Sequence, residues 1–265
     1  MHRSAALLSL GLVFAACGGS GGKARTYQAP TAEQVVQTLQ ERQAQATNFT
    51  HESRMEYWVK DQRIKTTVYV MGERGAKVRF NALNPTGGDV AADLACDGTD
   101  FAFVDFNKNC QLTGPCTKRA IGQLLRVSLE PDDFLLLAIG STPIIPFDDG
   151  KVTWKAKAAQ EVLDLTTSDG KWRQKIILDG REQRWDVLSS TVWGEDGKIE
   201  WELTNKEFSD MKADDGKAMR LPAKTRFEQP KEKADLTIRW DALHVNTELD
   251  ASGFIMGPPG LPQCQ

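Results

Sequence analysis

The sequence predicts a mainly β protein: a curved antiparallel sheet of about ten or eleven strands, with an N-terminal helix and a central helical insertion plugging its concave side. Three observations carry this reading. From Phe49 onward apolar and polar residues alternate with a period of two. Asp-Gly pairs recur at 149–150, 169–170, 179–180, 196–197 and 215–216, and Asp-Gly supplies the positive φ angles that tight hairpins need. Two stretches alone read as helix, too few to cover a broad sheet.

The elements follow in order. His2 and Arg3 precede an apolar stretch from Ala5 to Phe14, too short to span a bilayer, and Ala15-Ala16 lead into Cys17. Residues 1–16 resemble a bacterial lipoprotein signal peptide, although Phe14 stands where Leu, Val or Ile is usual. The resemblance implies lipidation of Cys17, whose acyl chains anchor the protein at about 0.8 kcal/mol per buried methylene. An ordinary signal peptide with a chance cysteine is the alternative. Residues 17–29 form the lipidated cysteine and a flexible glycine-rich linker, Gly18-Gly19-Ser20-Gly21-Gly22. Gly18 is not the Asp associated with inner-membrane retention, so the expected home is the outer membrane, lipid-anchored and facing the periplasm.

Residues 30–265 are expected to form one domain, since no Pro/Ser-rich linker interrupts them. Thr31 caps a helix, with Gln34 as its capping-box partner and Val35, Val36 and Leu39 on one face; it fades near Ala46. Strands are predicted over 49–59, 64–70, 76–82, 89–96 and 100–106. A helix capped by Thr117 runs to Leu125, and a second opens at Pro131, carries Asp132-Asp133 in its first turn and stops at Gly140. This second piece is apolar nearly all round, as suits a helix wedged between layers. The remaining strands form a meander punctuated by the Asp-Gly pairs, which lack the alternating carboxylates of a calcium loop.

The 265 residues carry 33 Lys and Arg against 36 Asp and Glu, a net charge of −3, or −4 once Arg3 leaves with the signal. With no basic cluster, a nucleic-acid partner is not expected. The longest apolar run, Phe134 to Ile139, is broken by Gly140 and Pro143 and falls short of membrane-spanning length. Besides Cys17 there are Cys96, Cys110, Cys116 and Cys264, an even number that suggests two disulfides in an exported protein. Cys110 and Cys116 flank what reads as a short Gly-Pro turn, which favours that local pair and leaves Cys96 for Cys264. Their spacing does not suit zinc, so no metal is expected.

Catalytic constellations are scarce. His51 and His244 fall on strands outside any nucleophile motif, and the paired carboxylates sit at helix starts or turns. No enzyme activity and no cofactor are expected. Aromatic residues are plentiful at alternate strand positions, as core or as the lining of an apolar cavity.

The segment from Val78, VRFNALNPTGGDVAADLACDGTDFAFVDFNKN, and the later RAIGQLLRVSLEPDDFLLLAIGSTP resemble LolB, the outer-membrane lipoprotein receptor of lipoprotein sorting. Leu221-Pro222-Ala223-Lys224-Thr225 and Ile238-Arg239-Trp240 extend the likeness. The ending, Val245-Asn246 with Phe254 and Pro258-Pro259-Gly260, is closer to the soluble carrier LolA. The resemblance implies an incomplete antiparallel β-barrel lidded by helices, which binds acyl chains in its hollow without covalent chemistry and works in lipoprotein transfer to the outer membrane. Residues 30–265 would then be a LolA/LolB-like lipid-binding domain, expected to be monomeric, whose partners are the membrane, acyl chains or another lipid, and a soluble periplasmic carrier. Phe80, Phe101, Phe103, Leu124, Leu125, Phe134, Leu136 and Ile144 are the wall and lid candidates, each of which could equally be core. Leu83, in the loop before Asn84-Pro85, is the candidate for an exposed contact, and Thr86 stands where the LolB pattern has Leu. A sensor or scaffold that binds lipid or protein through the same fold is the alternative.

Overall fold

A computed structural model describes residues 22–59, 62–86, 88–125, 127–256 and 260–264, without the side chains of Val59 and residues 123–125. Cys17 and the signal segment lie outside the described residues.

The capping box at Thr31 and Gln34 forms as expected: Gln34 N–H donates to Thr31 Oγ1 and Thr31 N–H to Gln34 Oε1, opening α1 (Ala32–Gln45). Next come six strands joined by reverse turns: β1 (Asn48–Val59), β2 (Gln62–Glu73), β3 (Lys77–Leu83), β4 (Val90–Asp97), β5 (Asp100–Asp105) and β6 (Cys110–Pro115). Two helices follow, α2 (Lys118–Leu125) and α3 (Pro131–Ala138). A second meander completes the fold: β7 (Asp149–Lys155), β8 (Gln160–Thr166), β9 (Arg173–Asp179), β10 (Val187–Trp193), β11 (Ile199–Lys212), β12 (Ala218–Gln229) and β13 (Ala234–Val245). All thirteen strands form one sheet that does not close, ordered β6-β5-β4-β3-β2-β1-β13-β12-β11-β10-β9-β8-β7.

The expected incomplete antiparallel barrel with few helices is present, with thirteen strands rather than ten or eleven. One added strand is β6, where Gly114-Pro115 reads as a turn in the sequence. Proline cannot donate to a ladder and is confined to edges and strand ends, and Pro115 ends a strand at the edge of the sheet, whose one neighbouring strand is β5.

Three Asp-Gly pairs make the anticipated hairpin turns. Asp169, Asp196 and Asp215 each accept the backbone N–H two residues on through Oδ1, and the glycine between has positive φ. Asp149-Gly150 does not turn; it opens β7. A Cβ on Gly150 would stand 2.5 Å from Ala32 Cβ, so the glycine is what lets α1 lie against the sheet. Asp179 ends β9, and Arg181 donates to its carboxylate.

Two packed clusters cover the inner face. Val35, Val36 and Leu39 of α1 lie on Leu163, Leu165, Ile176 and Leu178. The larger cluster places α3 over β1, β2, β3 and β12, with Phe134 edge-on to Phe80 at 4.8 Å, both wholly buried. α3 ends in a Schellman motif, Ser141 N–H to Leu136 O and Gly140 N–H to Leu137 O. Gly140 has φ +66°, and a Cβ there would meet Pro222 Cδ at 2.5 Å, so glycine is required twice over.

The disulfides correct the expected pairing: Cys96 bonds Cys116, and Cys110 bonds Cys264. Cys110 opens β6 and Cys116 follows its last residue, so the extended strand separates them by about 20 Å, beyond disulfide reach. Cys96 and Cys116 have Cα atoms 5.6 Å apart, while the C-terminal segment lies along the β6 edge and brings Cys264 to 4.9 Å from Cys110. Peptide mapping without reductant is expected to recover Cys96–Cys116 and Cys110–Cys264. In the chain-entropy picture, losing the 154-residue link should cost about 5 kcal/mol and the 20-residue link about 3 kcal/mol, as read by urea melts of the paired serine variants.

Candidate functional site

Alternate residues of β1–β6 face inward. In mid-sheet their side chains are large: Val70, Phe80, Leu94 and Phe103 stand opposite one another in register, with Phe134 above. One row nearer the β3–β4 loop, Val68, Ala82 and Ala92 stand in register instead. Two facing alanines leave volume unfilled, and a groove of 630 Å³ opens there. Tyr57, Thr66, Phe103 and Leu112 form its walls. Arg119 of α2 lines one side and Leu83, Asn84, Pro85 and Lys108 the mouth. The mouth lies where β1–β2, β3–β4 and β5–β6 turn back, and three of the large apolar side chains exposed there are Trp58 (42%), Val90 (37%) and Phe106 (51%).

The candidates from the sequence divide. Phe103 lines the groove. Phe80 and Phe134 fill the mid-sheet core, Phe101 and Leu136 pack half-buried against it, and Ile144 packs with the α1 cluster. Leu124 and Leu125 lie on α2, with side chains outside the described residues. Leu83 is half-buried at the groove's lip, and its carbonyl accepts the Thr66 hydroxyl. Sequence reasoning missed Ala82 and Ala92; their signal is an interruption of large residues in the alternating pattern, meaningful only when β3 and β4 are paired.

A second cavity, of 320 Å³, lies where the C-terminal ends of α1 and α3 meet β10–β12. Its apolar lining, Leu39, Ile139, Trp185 and Phe208, is interrupted by Arg42, Asp186 and Arg220, and Arg220 bonds Asp186 at 2.6 Å and Asp210 at 3.1 Å. Burial raises the Asp186 carboxyl despite Arg220 and lowers the Arg42 guanidinium. Beside it a buried chain of hydrogen bonds fastens α3 to the sheet. Trp240 Nε1–H donates to Thr225 Oγ1, Thr225 to Asn205 Oδ1, and the Asn205 amide to the carbonyls of Gly140 and Val187.

His51 stands next to this chain, stacked on Phe49 and edge-on to Trp240 at 4.5 Å, with neither ring nitrogen hydrogen-bonded. Burial holds its imidazole at about 4, the Glu52 backbone and Asp241 opposing only in part. Burial also lifts the Asp133 carboxyl of α3 to about 6. Among the described residues there is no cluster of three or more metal-ligating side chains, and no helix is long and apolar enough to cross a membrane.

No family model matches the sequence, and no curated protein matches it. Solved structures do match the fold. A DUF1329 family protein from Desulfovibrio piger superposes with a TM-score of 0.55 at 12% identity, over 84% of this chain and 95% of that one. A LolA superfamily protein from Nitrosomonas europaea gives 0.55 at 11% identity, over 86% and 99%. A structure described as an outer membrane lipoprotein-sorting protein domain, from Vibrio parahaemolyticus, gives 0.53 at 12% identity, over 84% and 95%. The fold is therefore LolA-like. At these identities the likeness concerns the fold alone.

The two buried groups titrate with opposite signs. Unfolded, His51 takes up its proton near pH 6.5; folded, it resists to about pH 4. Its contribution to stability is thus complete above pH 6.5 and is lost as the pH falls toward 4. Asp133, raised to about 6, destabilises the fold as the pH rises from 3.8 to 6. His51→Leu is expected to shrink the difference in unfolding free energy between pH 7 and pH 4.5 by roughly 2 kcal/mol, measured by urea melts. An unchanged difference would contradict the dry burial of the ring.

Proposed function

We propose that this protein is an outer-membrane-anchored, periplasm-facing lipoprotein that holds acyl chains non-covalently in the 630 Å³ groove and serves lipoprotein transfer to the outer membrane. The observation that carries the reading is the groove itself. It lies on the inner face of a LolA-like sheet, it is floored by Ala82 and Ala92, and its volume falls within the roughly 300–1,000 Å³ of small-ligand sites. Ala82, Ala92, Tyr57, Phe103 and Leu112 give it apolar surface for an alkyl chain, alongside the polar Thr66, Asn84, Asp105 and Asn107. Burying about ten methylenes would contribute roughly 8 kcal/mol before the costs of association. Arg119 at the side of the groove suits the polar or anionic end of such a ligand, whereas Lys108 at the mouth is paired with Asp105. The Vibrio parahaemolyticus neighbour, described as a lipoprotein-sorting domain, supports the direction of the proposal. The reading needs no catalytic residue, cofactor or metal. The exposed Trp58, Val90 and Phe106 suit contact with a lipid-loaded carrier as cargo passes.

The chain made as Cys17→Ser is expected to retain lipid through purification, as native mass spectrometry would show. Ala92→Leu places a branched side chain in the groove floor and should reduce retained lipid at least tenfold. Because the space is vacant, stability should change by less than the 1–3 kcal/mol typical of overpacking. Absence of lipid from the parent chain would refute acyl-chain binding. Mixing with a lipid-loaded carrier separates transfer from a sensor that forms a complex and transfers nothing.

A further inference from the structure

Hairpins of the sheet turn back at two opposite ends. The β1–β2, β3–β4, β5–β6, β8–β9, β10–β11 and β12–β13 turns share the end where the groove opens. The β7–β8 turn, residues 156–159, lies at the other end with β2–β3, β4–β5, β9–β10 and β11–β12. The described chain begins at this second end. Lys23 N–H donates to Ala156 O at 2.8 Å, and Trp154 Nε1–H donates to Lys23 O at 2.9 Å. Two residues on, Arg25 grips the fully buried Glu161 with two bonds of 2.6 and 2.9 Å, Tyr27 adds a third at 3.0 Å, and the Arg25 guanidinium lies over the Trp154 ring. The start of the domain is therefore tied to the β7–β8 end rather than trailing from it. Only residues 18–21 separate Gly22 from Cys17, a reach of about 18 Å when fully extended.

The surface around this point is basic. Lys23, Lys155 and Lys157 are exposed, and their ammonium groups have no carboxylate partner among the described residues. The nearby carboxylates are occupied, Glu161 by Arg25 and Asp179 by Arg181. At the groove end Lys108, Lys171 and Lys231 each pair with acidic side chains, while Lys198 and Lys233, in the β10–β11 and β12–β13 turns, have no carboxylate partner among the described residues.

We infer that the β7–β8 end, through Lys23, Lys155 and Lys157, docks on an anionic lipid surface, so that the groove opens away from the membrane that holds the anchor. The inference rests on the lipidation of Cys17 for the tether. The charge complementarity and the position of the chain's start are independent of what the groove binds. A tether of this length holds the lysines within reach of the headgroups, where each adds attraction to a single-point lipid anchor. It also means that cargo enters from the aqueous side, not from the anchoring leaflet.

The test uses the full lipidated chain, reconstituted in vesicles containing phosphatidylglycerol or in vesicles of phosphatidylcholine alone. Amine acylation by a water-soluble ester is followed by peptide mass spectrometry. Lys155 and Lys157 should react at least fivefold more slowly on the anionic vesicles than on the neutral ones, while Lys108 at the groove mouth reacts equally on both. In flotation at low salt, the unlipidated Cys17→Ser chain should lose about 25-fold in partition onto anionic vesicles when Lys155→Glu and Lys157→Glu are combined. Protection of Lys108 instead, or equal reactivity of Lys155 and Lys157 on both vesicles, would overturn the orientation. If intact mass shows no lipid on Cys17, the anchor reading fails, and the partition of the Cys17→Ser chain still decides the lysine surface. Retained lipid in the groove is a separate readout, so the two readings fail separately.

Discussion

The antiparallel pairing of β1 with β13, from Phe49 opposite Val245 to Tyr57 opposite Leu236, sets the architecture. It joins the first and last strands of the chain at the middle of the sheet, so the two meanders grow outward in opposite directions and leave β6 and β7 as distant edges. A chain that must travel from β6 to β7 then has to cross a face of the sheet. It crosses the inner face as α2 and α3, and the apolar sequence of α3 fits that route because Phe134, Leu135, Leu137 and Ala138 are buried, leaving Asp132 to the outside. Pairing at the seam therefore explains both the open barrel and its helical cover.

Open edges are a hazard, since unpaired backbone groups invite other strands. Described segments near both ends of the chain meet them. The C-terminal segment runs beside β6, with Gln111 N–H bonded to Pro262 O and Cys264 fixed to Cys110. The N-terminal segment meets the end of β7 through Lys23 and Trp154. The open edges thus receive the long-range disulfide at β6 and the first described residues at β7. The first described residues meet β7 while the groove belongs to β1–β6, so the two lie on different halves of the sheet.

The inner face is filled unevenly, and that unevenness makes the candidate site. Phe80, Leu94 and Phe134 close the centre, whereas Ala82 and Ala92 leave the groove open one row away. The chain from Trp240 through Thr225 and Asn205 to the Gly140 carbonyl fixes the end of α3. Motion that widens the groove would accordingly involve α2, which supplies Arg119, more readily than the fastened end of α3.

Local signals made much of this fold legible. Thr31 and Gln34 announced α1, Pro131 and Gly140 bounded α3, and Asp-Gly at 169–170, 196–197 and 215–216 marked three turns, because capping and turn chemistry depend on residues within a few positions of one another. Alternation identified Phe103 as inward-facing for the same reason. What the sequence could not supply was partnership. A period of two says which face a residue occupies but not which strand lies beside it or in what register. Asp149-Gly150, read as a turn, serves instead to admit Ala32 from a distant helix. The cysteine pairs, the Ala82–Ala92 floor and the placement of residues 22–27 away from the groove were decided by tertiary structure alone. Each depends on contacts between segments remote in the chain, and these exist only once β1 has found β13.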